Sequence, residues 1–270
     1  MELWGGNQAV EKGVSTPGLD IWVYSRPYDG AEGGGDVHYV SLCGGGMITR
    51  FILADVSGHG ASVAELANSL RVLMRKNINR KDQTQLVQAL NREFSDLAKL
   101  SRFATAVVGT YLTKGDILTL CNAGHPRPLY HRCATNEWSY LSQENAPPQS
   151  GPADLPLGIL DVTGYTRVEL PLGRGDLVLV YTDALTEAES IDGRQLGEAG
   201  LLELVRRLDL ANPAAIPASL IRSIDEFRGG HPAIDDLTFL LLHHNAGPTR
   251  RPGLLETLNV YAKVLGVKSV

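Results

Sequence analysis

The chain has 270 residues, 43% of them hydrophobic, with a mean hydropathy of −0.06, which is enough to bury one substantial core, and its length allows one domain or two. Its 25 lysines and arginines against 30 aspartates and glutamates leave a net charge of −5, with no basic stripe to displace counterions from a phosphate backbone, which argues against nucleic acid as a partner. The odd number of cysteines (Cys43, Cys121 and Cys133) and the lack of Cys-x-x-Cys spacing favour reduced thiols. With no basic stretch and apolar run at its start, the chain reads as cytoplasmic, with no leader or membrane anchor expected.

The chain opens glycine-rich and polar as far as Pro17-Gly18, and residues 1–19 are expected to form an N-terminal extension. Residues 20–25 are rich in β-formers and read as an edge strand. A loop over 28–36 then delivers Asp36 to a strand at 37–43, and Gly44-Gly45-Gly46 turns the chain into a second strand at 48–56 that carries Asp55 near its end. From Ala61 the period becomes helical, with Val63, Leu66, Ala67, Leu70 and Met74 on one stripe. Asp82 is placed to cap a second helix, whose stripe is Leu86, Leu90, Phe94 and Leu97, so the two form an antiparallel hairpin.

Strands are expected at 103–112 and 117–122, joined by the turn residues 113–116, with weaker ones at 128–132 and 138–141. A proline-rich loop precedes β-like residues 165–170, and Gly173-Arg-Gly-Asp176 reads as a turn into the apolar run 177–181, which ends at Thr182-Asp183. Helices are expected at 197–208 and 213–228, the second opened by Asn212-Pro213, and Asp235-Asp236 heads a buried strand at 237–243. Residues 246–270 read as a linker and an amphipathic helix at 254–265, which packs on its own core or, in a homodimer, on a second copy. Strands in runs and helices in pairs argue against alternating βαβ units. They favour an α+β fold, a four-layer αββα sandwich in which two antiparallel sheets are covered by helices, with residues 20–245 as one domain.

Asp36, Asp55, Asp183 and the doublet Asp235-Asp236 all fall at strand boundaries, beside glycine or a turn. Each alone suits a turn or helix cap. Together they suit hard divalent cations, because carboxylate oxygens favour Mg²⁺ and Mn²⁺, and several ionised carboxylates in one site must either share protons or bind cations. One member of the doublet is expected to act as a structural cap or an outer acceptor.

The segments Gly34-Gly35-Asp36, Asp55-Val-Ser-Gly-His-Gly60, Phe103-Ala-Thr-Ala106, Asn122-Ala-Gly-His-Pro126, Pro156-Leu-Gly158, Gly175-Asp176, Tyr181-Thr-Asp183 with Thr186-Glu187, and Asp235-Asp236-Leu-Thr238 run in one order along the chain. As a set they resemble the PPM-type, protein phosphatase 2C-like serine/threonine phosphatases, in the bacterial sporulation-protein-E and sigma-B-regulator branch. The resemblance implies a two-metal site for Mn²⁺ or Mg²⁺. Asp55 would bridge both ions, Asp36 and the carbonyl of Val56 would complete one, and Asp183 with Asp235 would hold the other; a further ion near Asp236 stays open. It also implies a phosphorylated regulatory protein as substrate, an anti-sigma-factor antagonist of the STAS type.

His59, between two glycines beside the acids, is a candidate general acid, and a plain helix-opening residue otherwise. His125 is expected to order a loop, and Ser57 a turn. The chain departs from the family pattern at Ala184, where glycine is frequent, and at Tyr39, where a second aspartate is. A phosphoprotein-binding module without turnover and a small-molecule phosphoesterase are the rival functions.

Overall fold

The computed structural model describes residues 2–58, 60–98, 102–142 and 152–247. The expected tail helix and its linker lie outside these residues. One six-stranded antiparallel sheet runs in the order β1 (Glu2–Gly6), β4 (Asp36–Cys43), β5 (Ile48–Val56), β6 (Ala104–Leu112), β7 (Ile117–Ala123) and β10 (Val168–Pro171). The other runs β2 (Val10–Thr16), β3 (Leu19–Arg26), β12 (Leu237–His244), β11 (Leu177–Tyr181), β8 (Leu129–Arg132) and β9 (Glu137–Tyr140). Helices α1 (Ala61–Asn77) and α2 (Gln83–Ala98) cover the first sheet, and α3 (Gly197–Arg206) and α4 (Ile216–Arg228) the second.

Strand alternation sorts the apolar residues into three layers. Along β5, Phe51 and Leu53 face the other sheet, where Ile21, Val180 and Leu240 meet them. Ile52, Ala54 and Val56 point the opposite way, onto Leu70, Leu90 and Phe94 of the helical hairpin. Along β12, Leu240 and Leu242 join the inter-sheet layer while Phe239 and Leu241 pack under Leu201, Leu220 and Ile224 of α3 and α4. The result is the four-layer αββα sandwich, in which the inner strands β11 and β12 are buried on both faces, which explains the nearly unbroken apolar runs at 177–181 and 237–242.

Helix ends follow the local chemistry. Asp82 Oδ1 accepts the Gln85 N–H at 2.9 Å, a side-chain cap on α2. Pro213 opens the turn that feeds α4, and Gly229, at φ 60°, closes it in the left-handed conformation. In the Gly173–Asp176 turn, the Asp176 carboxylate accepts the Gly173 and Cys133 N–H groups and the Tyr130 hydroxyl, so Arg-Gly-Asp here is a turn.

Three expectations fail. The glycine-rich start is ordered β-structure: β1 pairs with β4, and β2 pairs with β3 along its whole length. Residues 20–25 therefore lie inside the sheet rather than at its edge, because β3 has partners on both sides. Leu97 is also not part of the buried stripe of α2; it is 46% exposed, and Val87 and Ala98 are buried instead. Among the described residues, no helix is long and apolar enough to cross a membrane.

Candidate metal centre

Antiparallel pairing places the first residue of β4 opposite the end of β5, so Asp36 and Asp55 are direct partners in the ladder. Both continue the inter-sheet face of their strands, because Val40 on β4 and Leu53 on β5, an even number of residues away, lie in the inter-sheet layer. In the second sheet Tyr181 at the end of β11 pairs with Phe239 near the start of β12, which sets Asp183 and the Asp235-Asp236 doublet at one end of that sheet. Hydrogen bonds join the two ends. Thr182 Oγ1 donates to Asp36 Oδ2 at 2.8 Å across the sandwich. Asp236 Oδ1 accepts the Tyr28 N–H at 2.6 Å, and its Oδ2 accepts the N–H groups of Gly35 and Asp36.

Asp236 therefore clamps the glycine loop that carries Asp36, and both of its oxygens are engaged in doing so. Gly34 is required at this contact: a Cβ there would run into the Asp236 carboxylate. Asp235 stands exposed at the rim, its Oδ1 accepting the Asp236 N–H at 2.7 Å. Asp183 opens a short 3₁₀ turn, Asp183–Leu185, and its carbonyl accepts the N–H groups of Thr186 and Glu187 at 2.8 Å. Ala184 has no positive φ, so its methyl group strains nothing. Tyr39, 2% exposed, packs in the core under α1 and leaves the acid row at Asp36.

The acids act on one another. Burial, followed by the charges of Asp183, Asp235, Asp236 and Glu187, raises the Asp55 carboxyl to about 7. Asp36, 3% exposed, is held well above the ordinary carboxylate range by burial and by Asp55, with the Thr182 and Thr238 hydroxyls pulling the other way. Burial and Asp235 raise Asp183. Among the described residues, no lysine or arginine forms an ion pair with Asp36, Asp55, Asp183 or Asp236.

These are hard oxygen donors with an unrelieved negative field, and their chemistry fits a divalent cation. Their spacing is open: among the described residues no three Asp, Glu, His or Cys side chains stand close enough to hold an ion unaided. An ion here would need water for much of its shell, as Mg²⁺ and Mn²⁺ retain in protein sites. The Val56 carbonyl fits the same set; it lies 3.0 Å from where a Cβ on Gly35 would stand, so glycine keeps that approach open.

His59 lies outside the described residues. His125 is buried, its Nδ1 2.8 Å from Thr105 Oγ1, and burial lowers it to about 3, so it is neutral. Asn122 brackets it, Oδ1 accepting the His125 N–H and Nδ2 donating to the His125 carbonyl. Ser57 ties the end of β5 to the segment before β6, with its hydroxyl accepting the Phe103 N–H at 3.0 Å. His243 and His244 sit at the far end of β12, beside Asp20 and Asp116.

The hydroxyl chain that supports Asp36 is not evident from the sequence. Ser25 Oγ meets Thr238 Oγ1 at 2.9 Å, and Thr182 Oγ1 also accepts the Thr238 N–H at 3.0 Å. Its only trace in the sequence is a polar residue ending or opening an otherwise apolar strand.

A two-sheet sandwich with helices on each side and acids from four strand ends on one rim is the architecture of the protein phosphatase 2C class. The profile of the Stage II sporulation protein E (SpoIIE) family matches residues 46–245, and the chain belongs to that family. It is similar to the RsbU and RsbW domains of a Mycobacterium tuberculosis protein, with 26% identity and a TM-score of 0.71 over 89% of this chain and 65% of that one. The phosphatase domain of SpoIIE from Bacillus subtilis, solved with a fragment of its regulatory domain, shares the fold at 16% identity and a TM-score of 0.68, covering 88% and 71% of the two chains. RsbX in complex with magnesium does so at 17% and 0.63, covering 87% and 99%.

Proposed function

We propose that the chain is a metal-dependent protein serine/threonine phosphatase. It acts on phosphoserine or phosphothreonine of a small regulatory protein, an anti-sigma-factor antagonist of the STAS type, with Mn²⁺ or Mg²⁺ as its ions. The observation that carries this reading is the mutual electrostatic pressure of Asp36, Asp55 and Asp183 with Asp235 on one rim, which a divalent cation relieves. The magnesium bound by RsbX, which shares the fold, supports the choice of a hard cation.

In this reading Asp55, Asp36 and the Val56 carbonyl, together with Asp183 and Asp235, would hold the ions. When bound, the ions would supply an acidified water and neutralise charge on the phosphoryl group. The protein's own part is orientation. The Thr182 hydroxyl fixes Asp36 in one rotamer, Asp236 holds the Gly34–Asp36 backbone in place, and Asn122 keeps the His125 loop against Thr105, which pairs with Asp55 on the neighbouring strand. In this reading His59 gives a proton to the leaving serine or threonine oxygen. No cysteine or serine nucleophile is called for.

The test is phosphate release from phosphorylated STAS proteins and from p-nitrophenyl phosphate, with Mn²⁺ and with chelator, for the wild type and Asp183→Asn. Turnover that needs the metal and disappears in the variant supports the reading. A folded protein that binds the phosphoprotein and never turns it over would establish the binding module instead.

A further inference from the structure

Away from the acid rim, a cavity of about 740 Å³ opens between β1, β2, β4 and α1. Lys12, Arg71 and Arg75 line it against a single carboxylate, Glu2, which Arg71 Nε engages at 2.9 Å. In a chain of net charge −5 this is a concentrated positive spot. Arg75 forms no ion pair among the described residues. The floor holds a polar group without a partner: His38 Nδ1 is buried and makes no hydrogen bond, in a residue 3% exposed. Buried polar atoms left unpaired carry a free-energy penalty and are commonly explained by a water, ion or ligand at the site. Trp4 and Ile78 add an apolar wall, and the volume suits a small metabolite.

The hairpin that forms this cavity also grips the acid rim. Asn7, in the turn between β1 and β2, accepts the Gly34 N–H at 2.9 Å through its carbonyl. Its Nδ2 donates to the Gly34 carbonyl at 2.9 Å and to the Ala64 carbonyl at 3.0 Å. One side chain thus joins the loop that carries Asp36 to the first turn of α1, the helix that supplies Arg71 and Arg75.

We propose that this cavity binds a small organic phosphate, with Lys12 and Arg75 on its anionic groups, and that Asn7 relays occupancy to the loop carrying Asp36. Binding does not depend on the phosphatase reading; only the use of the relay to set activity rests on it. The experiment therefore avoids turnover.

Titration calorimetry on the full chain in EDTA uses ADP, pyrophosphate and citrate as probes. The expected result is saturable binding of ADP or pyrophosphate, weaker binding of citrate, and a loss of about tenfold or more in Lys12→Gln/Arg75→Gln. Amide exchange at Gly34 and Gly35 is expected to slow on binding in the wild type, and to stay unchanged in Asn7→Ala, which retains the affinity. No saturable binding at millimolar probe, equal binding by the double variant, or citrate binding as tightly as ADP overturns the site. Bound ligand with unaltered exchange in the wild type overturns the relay.

Discussion

Replacing Asp55 by asparagine is expected to stabilise the metal-free protein while removing its response to metal. The Asp55 carboxyl is raised from 3.8 to about 7 by burial and neighbouring carboxylates, so ionising it in the folded state is unfavourable. A displacement of about three in pKa corresponds to at most about 4 kcal/mol. The sign follows from linkage. Well below pH 3.8 the group is protonated in both states and imposes no penalty; stability is then lost as pH rises from 3.8 towards 7, and nearly the whole loss is present at pH 8. Asparagine cannot ionise, so Asp55→Asn should gain little at pH 4 and most at pH 8. For a domain of this size each kcal/mol moves the melting temperature by about 2–4 °C, giving a rise of up to about 16 °C. Thermal melts in EDTA at the two pH values measure it. Added Mn²⁺ should then raise the wild type, by about 2.7 kcal/mol at a hundredfold excess over its Kd, and leave the variant where it was. A variant no more stable than the wild type at pH 8 in EDTA would refute the electrostatic reasoning.

Three further outcomes are expected. Asp236→Ala strips the acceptor from the N–H groups of Tyr28, Gly35 and Asp36, and urea denaturation should show a loss of about 1–3 kcal/mol, independent of metal. His125, lowered to about 3 by burial, should show no ring titration by NMR between pH 5 and 8; its contribution to stability is complete above the ordinary histidine range and fades as pH falls towards 3, so His125→Asn should soften acid denaturation. His59→Ala should leave Mn²⁺ affinity intact and slow phosphoserine hydrolysis by about 100-fold, with a smaller effect on p-nitrophenyl phosphate, whose leaving group needs no proton; equal losses on both substrates would remove His59 as the acid.

The core strands and both helical hairpin partners were legible in the sequence because their apolar periods are strong and their caps, Asp82 and Asn212-Pro213, are local chemistry. The acids were legible as a set because each interrupts an apolar run at a strand boundary. The N-terminal strands were not. Gly5, Gly6 and Gly13 weaken any β signal, and β2 is exposed along most of its length, so pairing with β3 rather than composition makes it a strand. That omission hid the Asn7 bridge. The Thr182, Thr238 and Ser25 hydroxyls escaped for a related reason: their partners lie on other strands, up to 213 residues away in sequence. Leu97 stands three residues after Phe94, but the buried stripe continues four residues on, at Ala98, which leaves Leu97 turned outward.

Calorimetric titration of Mn²⁺ into the wild type and Asp55→Asn, with phosphate release from a phosphoserine peptide followed on the same samples, addresses the acid rim most directly. Saturable Mn²⁺ binding and turnover that rise together in the wild type, and vanish together in the variant, are what the convergence of Asp36, Asp55, Asp183 and Asp235 predicts. Equal Mn²⁺ affinity in the two proteins, or hydrolysis that persists in chelator, would contradict it.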